Sequence, residues 1–402
     1  MKKKIDITVI ALFLAVLFGF GVAFWIIPDR NFSEDENRVL QTLPTVKADK
    51  WLDGTLSAEF TEYCSDQFPL RQSFVTLHSL YDLALLRGES NGVLYGRDGQ
   101  QAVRLLDAYV DRTTRANGTD YASWAHIDAG LDALSALRDT LDAQGISLVV
   151  LPAPRTIDVT GAAFGYPAAL PDALHDRVFD GLTARGVTTV DLIPAFREGC
   201  AGGGYLMYRT DHHWTTAGAF CAYAALMDAL GRGDETVPAS AYAVERVSGF
   251  VGTTASRSGF PVSDPDVLEI WSGGADHAYT VRDDKDREIM QGFVSRAYLD
   301  TKDKYGTFLD GTHRLLTVTQ TAPDPLSTAE PGEDRPRLLL ARDSFASAVI
   351  PFLARHYDIV AVNLPGGVTD LSALAAEYGC GTVVVLVNLE NYVTSDCIRN
   401  IK

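Results

Sequence analysis

The stretch Thr382-Val383-Val384-Val385-Leu386-Val387 decides the fold class of this chain. A run of this length with almost no polar residue predicts a strand that is covered on both faces. Three further apolar runs of strand length occupy residues 146–151, 337–341 and 359–362, and segments with helical periodicity separate the runs. The alternation predicts an α/β fold, in which helices flank a parallel sheet.

The helices of this pattern can be read from the apolar periodicity. Apolar residues at 127, 131, 134, 137 and 141 line one helical face, and Gly145 ends that helix. A second helix is expected from about 171 to 185. The rhythm breaks between about 233 and 335, where Gly, Ser, Asp and Thr are frequent, and this region is interpreted as a large insertion with short strands.

The N-terminus carries three lysines followed by an apolar run over residues 7–27. Twenty-one residues at ~1.5 Å each span ~30 Å, the thickness of a bilayer core. We therefore predict a transmembrane anchor over residues 1–28, and the lysines predict that the rest of the chain is extracytoplasmic. A cleaved signal peptide is the alternative.

A membrane-proximal segment is expected over residues 29–121. Leu70, Phe74, Leu77, Tyr81 and Ala84 recur at helical spacing within it, which predicts an amphipathic helix over about 70–87. The sequence 92–99 ends in Asp98-Gly99, a turn signal, and is read as a short hairpin.

Composition excludes some functions and leaves others open. The 402 residues carry a formal charge of −17, which argues against nucleic acid as a partner. Hydrophobic residues make up 47%, enough for a sizeable core. The five cysteines show no CxxC spacing and are interpreted as free thiols.

Two segments carry candidate chemistry. Asp211 and His213 are two residues apart in the run Asp211-His212-His213-Trp214, and in an extended segment their side chains would share a face. The carboxylate could then orient the imidazole as a base. Ser344 follows an apolar strand, so its hydroxyl should lie at the carboxyl edge of the sheet, although no G-x-S-x-G pattern is present. His212 would point away, towards substrate. The two adjacent histidines would also suit a metal site. No further Cys, Asp or Glu at a suitable spacing completes a tetrahedral set of ligands, so we predict no metal.

Both segments resemble motifs of the bacterial DHHW-motif proteins, which are similar to the SGNH-hydrolase-like O-acetyltransferases of alginate and other exopolysaccharides. Residues 66–69, 250–253, 311–313 and 350–354 add weaker matches. The resemblance implies an SGNH-hydrolase-like parallel sheet over residues 122–402, with the insertion at about 233–335. It also implies the triad Ser344, His213 and Asp211, the set that the residue spacing selects.

Three positions depart from, or bear on, the pattern of this resemblance. Arg342 stands where the alginate-type proteins have glycine, and it could narrow the site or bind an anionic substituent. Thr312 stands where they have an asparagine that could support the oxyanion. Arg155 occupies a position where the relatives often carry lysine, and its alternative reading is a solvated surface charge. Trp214 could stack on a sugar ring.

The resemblance implies a membrane-anchored O-acetyltransferase that acts on a cell-surface polysaccharide through an acetyl-serine, without a cofactor. A membrane-bound O-acyltransferase is the expected acetyl donor. Two alternatives stay open. One is an acetyl esterase with the same triad, and the other is a catalytically inactive glycan-binding or assembly scaffold.

Overall fold

The computed structural model describes residues 2–33, 38–104, 124–164, 171–332, 334–367 and 370–402. The chain forms two compact units. The N-terminal unit comprises residues 1–91 and 255–261, and the sheet unit comprises residues 92–254 and 262–402. The predicted boundary near residue 121, between the membrane-proximal segment and the catalytic domain, lies outside the described residues.

The N-terminal unit is mainly helical. Its elements are α1 Lys2–Ile26, α2 Ala48–Leu52, α3 Thr55–Asp66, α4 Arg71–Ala84, β1 Phe32–Ser33, β2 Arg38–Val39 and β3 Glu89–Ser90. Within α1, the 21 residues Asp6–Ile26 have a mean hydropathy of 2.7 and none of them is buried. The helix is therefore long and apolar enough to cross a membrane, a property that an anchor shares with a signal sequence.

Helix α4 confirms the helix that the sequence predicts over about 70–87. Its orientation is the reverse of what an amphipathic helix of a globular protein usually shows. The polar Ser79 and Asp82 are the buried residues of the helix, whereas the apolar residues that defined its periodicity lie on the surface.

The sheet unit contains the remaining regular elements. Its helices are α5 Trp124–Ala143, α6 Thr156–Thr160, α7 Pro171–Ala184, α8 Ile193–Ala201, α9 Thr216–Ala229, α10 Thr253–Ser258 (which runs on into the N-terminal unit), α11 Ile350–Leu353, α12 Leu371–Tyr378 and α13 Asn391–Thr394. Its strands are β4 Val93–Tyr95, β5 Gln101–Val103, β6 Ser147–Ala153, β7 Thr188–Thr189, β8 Ala243–Phe250, β9 Asp266–Ser272, β10 Tyr279–Asp283, β11 Glu288–Gln291, β12 Leu315–Gln320, β13 Arg337–Arg342, β14 Asp358–Asn363 and β15 Thr382–Asn388. Strands β4 and β5 form a hairpin over residues 93–103, so the hairpin predicted at 92–99 is present but extends four residues further.

Within the described residues, the main sheet has eight strands in the order β11-β10-β12-β14-β13-β15-β6-β7. The five strands from β14 to β7 are parallel, as predicted. Strands β12, β10 and β11 extend this parallel part of the sheet and join it antiparallel. All three come from the predicted insertion, so the insertion extends the sheet. The burial of β12 alternates along the strand, whereas β13 and β15 are buried almost throughout.

The central strand β13 separates two apolar cores. Leu338 and Leu340 face a core that includes α9, and Leu339 and Ala341 face a core that includes α5 and α7. The predicted apolar face of α5 is buried in the second core. The alternation places Arg342 on the same side of the sheet as Leu338 and Leu340. Ser344 follows at the carboxyl end of the strand, the edge at which parallel α/β sheets place their sites.

Candidate active site

The segment that carries Asp211 and His213 is a tight turn. Asp211 Oδ1 accepts hydrogen bonds from the backbone N–H of His213 at 3.0 Å and from His213 Nδ1 at 2.6 Å. An aspartate that bonds the backbone two residues ahead forms an Asx turn. The expectation of an extended segment is therefore wrong, and the turn rather than strand alternation pairs the carboxylate with the imidazole.

The structure brings Ser344 to the other side of this imidazole. Ser344 is the first residue of a 3-10 helix, Ser344–Ala348, that follows β13 directly. Its Oγ lies 2.7 Å from His213 Nε2, although 131 residues separate the two in the chain. With Nδ1–H donating to Asp211, Nε2 is the nitrogen that accepts the serine proton. Ser344, His213 and Asp211 thus form a continuous hydrogen-bonded chain.

The second oxygen of Asp211 is held by Thr253, the first residue of α10. Asp211 Oδ2 accepts from the backbone N–H of Thr253 at 2.8 Å and from Thr253 Oγ1 at 3.0 Å. Burial opposes the charge of Asp211, but the charges of His212 and His213 and the hydrogen bonds from His213 outweigh it, so the pKa of this carboxyl lies well below its usual range. The carboxylate therefore stays ionised beside the imidazole.

The turn itself is fixed by Asp266 and Thr210, two residues that the sequence did not single out. Asp266, at the start of β9, accepts from the backbone N–H of Thr210 at 2.8 Å and from Thr210 Oγ1 at 2.5 Å. Thr210 Oγ1 also accepts from the backbone N–H of Gly252 at 3.1 Å. A Cβ on Gly252 would lie 2.2 Å from the Asp211 Cβ, so only glycine fits there. The match at residues 250–253 was the one sequence signal that pointed to this support.

Aromatic rings enclose the imidazole of His213. Tyr305 stacks on it, with ring centroids 3.8 Å apart and planes 11° from parallel. Tyr305 is another residue that the sequence did not select, since nothing in its neighbourhood carries a motif. Trp214 is fully buried, and its Nε1 donates to the Phe345 carbonyl at 3.0 Å. The expectation that Trp214 stacks on a sugar is therefore wrong: its indole ties the turn to the segment that carries Ser344.

His212 lies beside His213, not away from it. The two ring centroids are 3.9 Å apart, because the turn folds the adjacent side chains together. His212 Nδ1 bonds Thr253 Oγ1 at 2.8 Å, and 43% of the His212 side chain is exposed. Partial burial and the neighbouring His213 lower the pKa of His212. A partly exposed imidazole next to His213 is compatible with substrate contact.

Arg342 does not reach the surface at all. Its exposure is 0%, and its Nη1 donates to Ser347 Oγ at 3.2 Å and weakly to the Asp343 carbonyl. Nε and Nη2 have no hydrogen-bond partner among the described residues. Burial lowers the pKa of this guanidinium to about 10. The expectation that Arg342 binds an anionic substituent is wrong, because the side chain lies beneath the site instead of lining it.

Asp343 supports the segment that carries Ser344. Asp343 Oδ1 accepts from the backbone N–H of Phe345 at 3.0 Å, which caps the 3-10 helix. Its Oδ2 accepts from the backbone N–H of Asn388 at 2.6 Å and from Asn391 Nδ2 at 2.8 Å. Burial raises the pKa of Asp343, and these donors oppose the rise. The N–H of Ser344 itself lies in the first helical turn, where N–H groups have no intrahelical partner.

The remaining two candidates lie apart from this chain of hydrogen bonds. Arg155 is buried, and its Nε donates to Asp158 Oδ2 at 2.8 Å while Asp158 caps the start of α6. Arg155 is thus neither a solvated surface charge nor a free cation for substrate. Thr312 is exposed, and among the described residues no hydrogen bond joins it to Ser344. Its expected support of an oxyanion stays a prediction.

Asp211, His212 and His213 could also hold a metal ion, because their ligand atoms all lie within 4.8 Å of one another. The carboxylate oxygens, however, already accept four hydrogen bonds, two from His213 and two from Thr253. A metal bound to Asp211 would have to displace His213 Nδ1 or Thr253. The donor set therefore suits a proton-transfer chain better than a cation.

The α/β fold, as predicted, is similar to that of SGNH-hydrolase-like domains. The family model described as an SGNH hydrolase-like domain of the acetyltransferase AlgX matches residues 113–259. The family model of DHHW proteins matches residues 192–363. The resemblance to both groups that the sequence indicated is confirmed.

Particular relatives carry the comparison further. The chain is 28% identical over 221 residues to the probable alginate O-acetylase AlgJ of Pseudomonas syringae pv. tomato, covering 54% of this chain and 51% of that protein. It is 26% identical over 234 residues to its Pseudomonas putida namesake, covering 58% and 55%. The chain thus spans about half the length of the curated relatives it matches.

Solved structures show the same fold. A DHHW family protein from Eubacterium siraeum superposes with a TM-score of 0.57 at 18% identity, covering 78% of this chain and 96% of that one. Bacillus cereus PatB1 with a sulfonyl adduct superposes with a TM-score of 0.59 at 16% identity, covering 77% and 98%. At these identities the likeness speaks to the fold alone.

Proposed function

We propose that this protein is a membrane-anchored, extracytoplasmic enzyme that O-acetylates a cell-surface polysaccharide. The observation that carries the proposal is the hydrogen-bonded chain from Ser344 Oγ through His213 to Asp211, with distances of 2.7 and 2.6 Å. Its similarity to proteins named alginate O-acetylases supports acetyl transfer to a polysaccharide as the reaction. No cofactor takes part in this chemistry.

The first half of the reaction forms an acetyl-serine. Ser344 Oγ attacks the carbonyl carbon of the acetyl donor while His213 Nε2 takes the hydroxyl proton. The ionised Asp211 stabilises the imidazolium that forms. The N–H of Ser344 and the positive end of its helix suit the developing oxyanion. Collapse of the tetrahedral intermediate passes the proton to the leaving group and leaves the acetyl group on Oγ.

The second half transfers the acetyl group to the acceptor. A sugar hydroxyl gives its proton to His213 Nε2 and attacks the acetyl carbonyl, and Ser344 leaves with the proton returned to its Oγ. An esterase would differ only in using water as the acceptor. His212, exposed beside the base, is the side chain that we assign to contact with the acceptor sugar.

The same proposal covers anchoring and supply of acetyl groups. Helix α1 serves as a single-pass anchor, with the lysines at its start on the cytoplasmic side. The acetyl donor is then delivered by a membrane-bound O-acyltransferase, because the extracytoplasmic space lacks acetyl-CoA.

The decisive experiment follows acetyl transfer to and from Ser344. The purified full chain should cleave an activated acetyl ester, and Ser344→Ala should lower that rate by at least about 10³-fold. Mass spectrometry should find an acetyl group on Ser344 of the wild type. Ser372→Ala, a serine near the start of α12, is the matched control and should keep full activity. Equal activity of wild type and Ser344→Ala rejects the triad.

Added oligosaccharide separates the remaining alternatives. Acetylated sugar indicates a transferase, whereas acetate release that ignores the sugar indicates an esterase. If the protein is a scaffold, the wild type, Ser344→Ala and His213→Ala should bind glycan with equal affinity, and none of them should show turnover. Addition of a chelator should leave the rate unchanged, since the proposed mechanism uses no metal.

A further inference from the structure

The surface of helix α4 is apolar where most soluble helices are polar. Leu70, Phe74, Leu77 and Tyr81 are 67, 44, 61 and 60% exposed. Successive positions are three or four residues apart, so the side chains form one continuous stripe along the helix. This set, with the exposed Ala84, is called the apolar stripe below. An exposed apolar stripe of this length marks a surface that contacts a protein partner, a ligand or a membrane.

The opposite face of α4 explains why the stripe faces outward. Ser79 is fully buried, and its Oγ bonds the carbonyl of Ser258 and lies 3.1 Å from Ser90 Oγ. Gln72 Nε2 donates to the Ser256 carbonyl at 3.0 Å. The polar side of the helix is therefore anchored to residues of its own unit by hydrogen bonds. A rotation that buried the stripe would break all of them.

Aromatic residues of the apolar helix α1 contact the start of the apolar stripe and its surroundings. Phe20 of α1 packs on Phe68 and on Phe74, with ring centroids 5.6 and 5.4 Å apart, and Phe24 packs on Tyr63 at 5.5 Å. Phe20 lies six residues before the end of α1, which at 1.5 Å per residue is about 9 Å. If α1 crosses a bilayer, the start of α4 therefore lies at the depth of the lipid, not above it.

Charge and backbone conformation fit the same placement. The only acidic residue of α4, Asp82, is buried and pairs with Arg87 at 3.2 Å, so the helix presents no exposed carboxylate that lipid phosphates would repel. Leu70 and Leu86 flank the helix with φ of +58° and +59°, in the left-handed region that is costly for leucine. Both side chains are exposed, so the flanking backbone also turns apolar groups outward.

We propose that α4 lies in the outer interface of the bilayer that α1 crosses, with the apolar stripe facing the acyl chains. The N-terminal unit then lies at the membrane surface. This inference rests on the proposed anchoring role of α1. It commits to lipid as the occupant, because the stripe continues directly from the lipid-facing surface of α1.

A photo-crosslinker on the stripe tests the proposal in the full chain. A benzophenone-bearing phenylalanine replaces Leu77 or Tyr81, and the protein is reconstituted into phospholipid vesicles whose acyl chains carry a detectable tag. The matched control carries the same side chain at Val244, an exposed apolar residue of β8 in the sheet unit. After irradiation we expect at least about tenfold more lipid adduct at positions 77 and 81 than at 244.

Other outcomes overturn the proposal in distinguishable ways. Adducts with the mass of a second copy identify self-association as the role of the stripe. In native membranes, adducts to another protein without lipid identify a protein partner. Equal lipid labelling at all three positions, or no labelling at 77 and 81, would show that α4 does not lie in the bilayer interface. The intact mass of the protein separates these outcomes from failed anchoring. A chain whose α1 had been cleaved would be lighter by the mass of that helix.

Discussion

The two segments that meet at the candidate site each bury a charged side chain, and they do so in opposite ways. In the turn, the Asp211 carboxylate accepts four hydrogen bonds, from His213 and Thr253. At the end of β13, the Arg342 guanidinium donates only through Nη1, and two of its nitrogens have no partner among the described residues. A buried ion with partners is a fixed part of a site, whereas one without them is a cost.

The difference teaches which departures from a motif matter. The turn needs Asp211 with its charge and its exact position, because every lone pair has an assigned donor. At the strand end, the backbone and the Asp343 carboxylate present Ser344, and the side chain at 342 extends away from it into the core. We therefore expect substitutions in the turn to remove activity and a substitution at 342 to leave it largely intact.

The largest expected effect comes from removing the charge of Asp211. Asp211→Asn keeps the size of the side chain but cannot stabilise an imidazolium, and its amide favours the wrong tautomer of His213. We expect kcat for acetyl ester cleavage to fall about 10⁴-fold with little change in KM. The pKa of Asp211 is lowered, so protonation of this carboxyl should not limit wild-type activity on the acid side. A loss below tenfold would mean that His213 does not depend on this carboxylate.

A smaller effect is expected from displacing Asp211 without changing it. Gly252→Ala places a Cβ at 2.2 Å from the Asp211 Cβ, so the carboxylate or the start of α10 must move. A shift of about 1 Å at a catalytic group costs about 10²-fold in rate. The control is Gly274→Ala, where an added Cβ meets nothing within 4 Å. Equal rates for the two variants, measured at equal folded fraction by circular dichroism, would contradict a positioning role for Gly252.

The smallest effect is expected at Arg342, and a second buried arginine sharpens the test. Arg355 is equally buried, but it binds the carboxylates of Asp276 and Asp324. Arg355→Met should lower the free energy of unfolding by about 3–5 kcal/mol, because two carboxylates lose their counter-charge. Arg342→Met should raise it, by up to about 2 kcal/mol, and retain acetyl ester cleavage. Urea denaturation measures both, and equal destabilisation would show that Arg342 has partners of comparable strength.

Much of this architecture can be predicted from the sequence, because the signals are local. The apolar runs of β6, β13, β14 and β15 are recognisable from composition alone. The stripe of α5 is readable from its 3.6-residue period. The pair Asp211 and His213 could be chosen because a carboxylate two residues from an imidazole reaches it in a turn as well as in a strand.

The supporting residues could not be predicted, because their roles depend on distant contacts. Asp266 holds the turn from β9, and Tyr305 stacks on His213 across the fold. Nothing near either residue in the chain distinguishes it from an ordinary buried aspartate or tyrosine. The role of Trp214 could not be predicted for the same reason, since an indole next to such a motif fits a sugar-binding surface as well as it fits a core.

The amino-acid sequence by itself thus determined the apolar strands, the helical periodicity and the choice of Asp211, His213 and Ser344. Each of these follows from residues that are a few positions apart. Tertiary structure decided the rest: that β10, β11 and β12 extend the sheet antiparallel, that Arg342 points into the core, and that α4 turns its apolar stripe outward while α5 buries its own. The physical reason is that periodicity reveals which face of a helix is apolar, whereas only the packed fold reveals what covers that face.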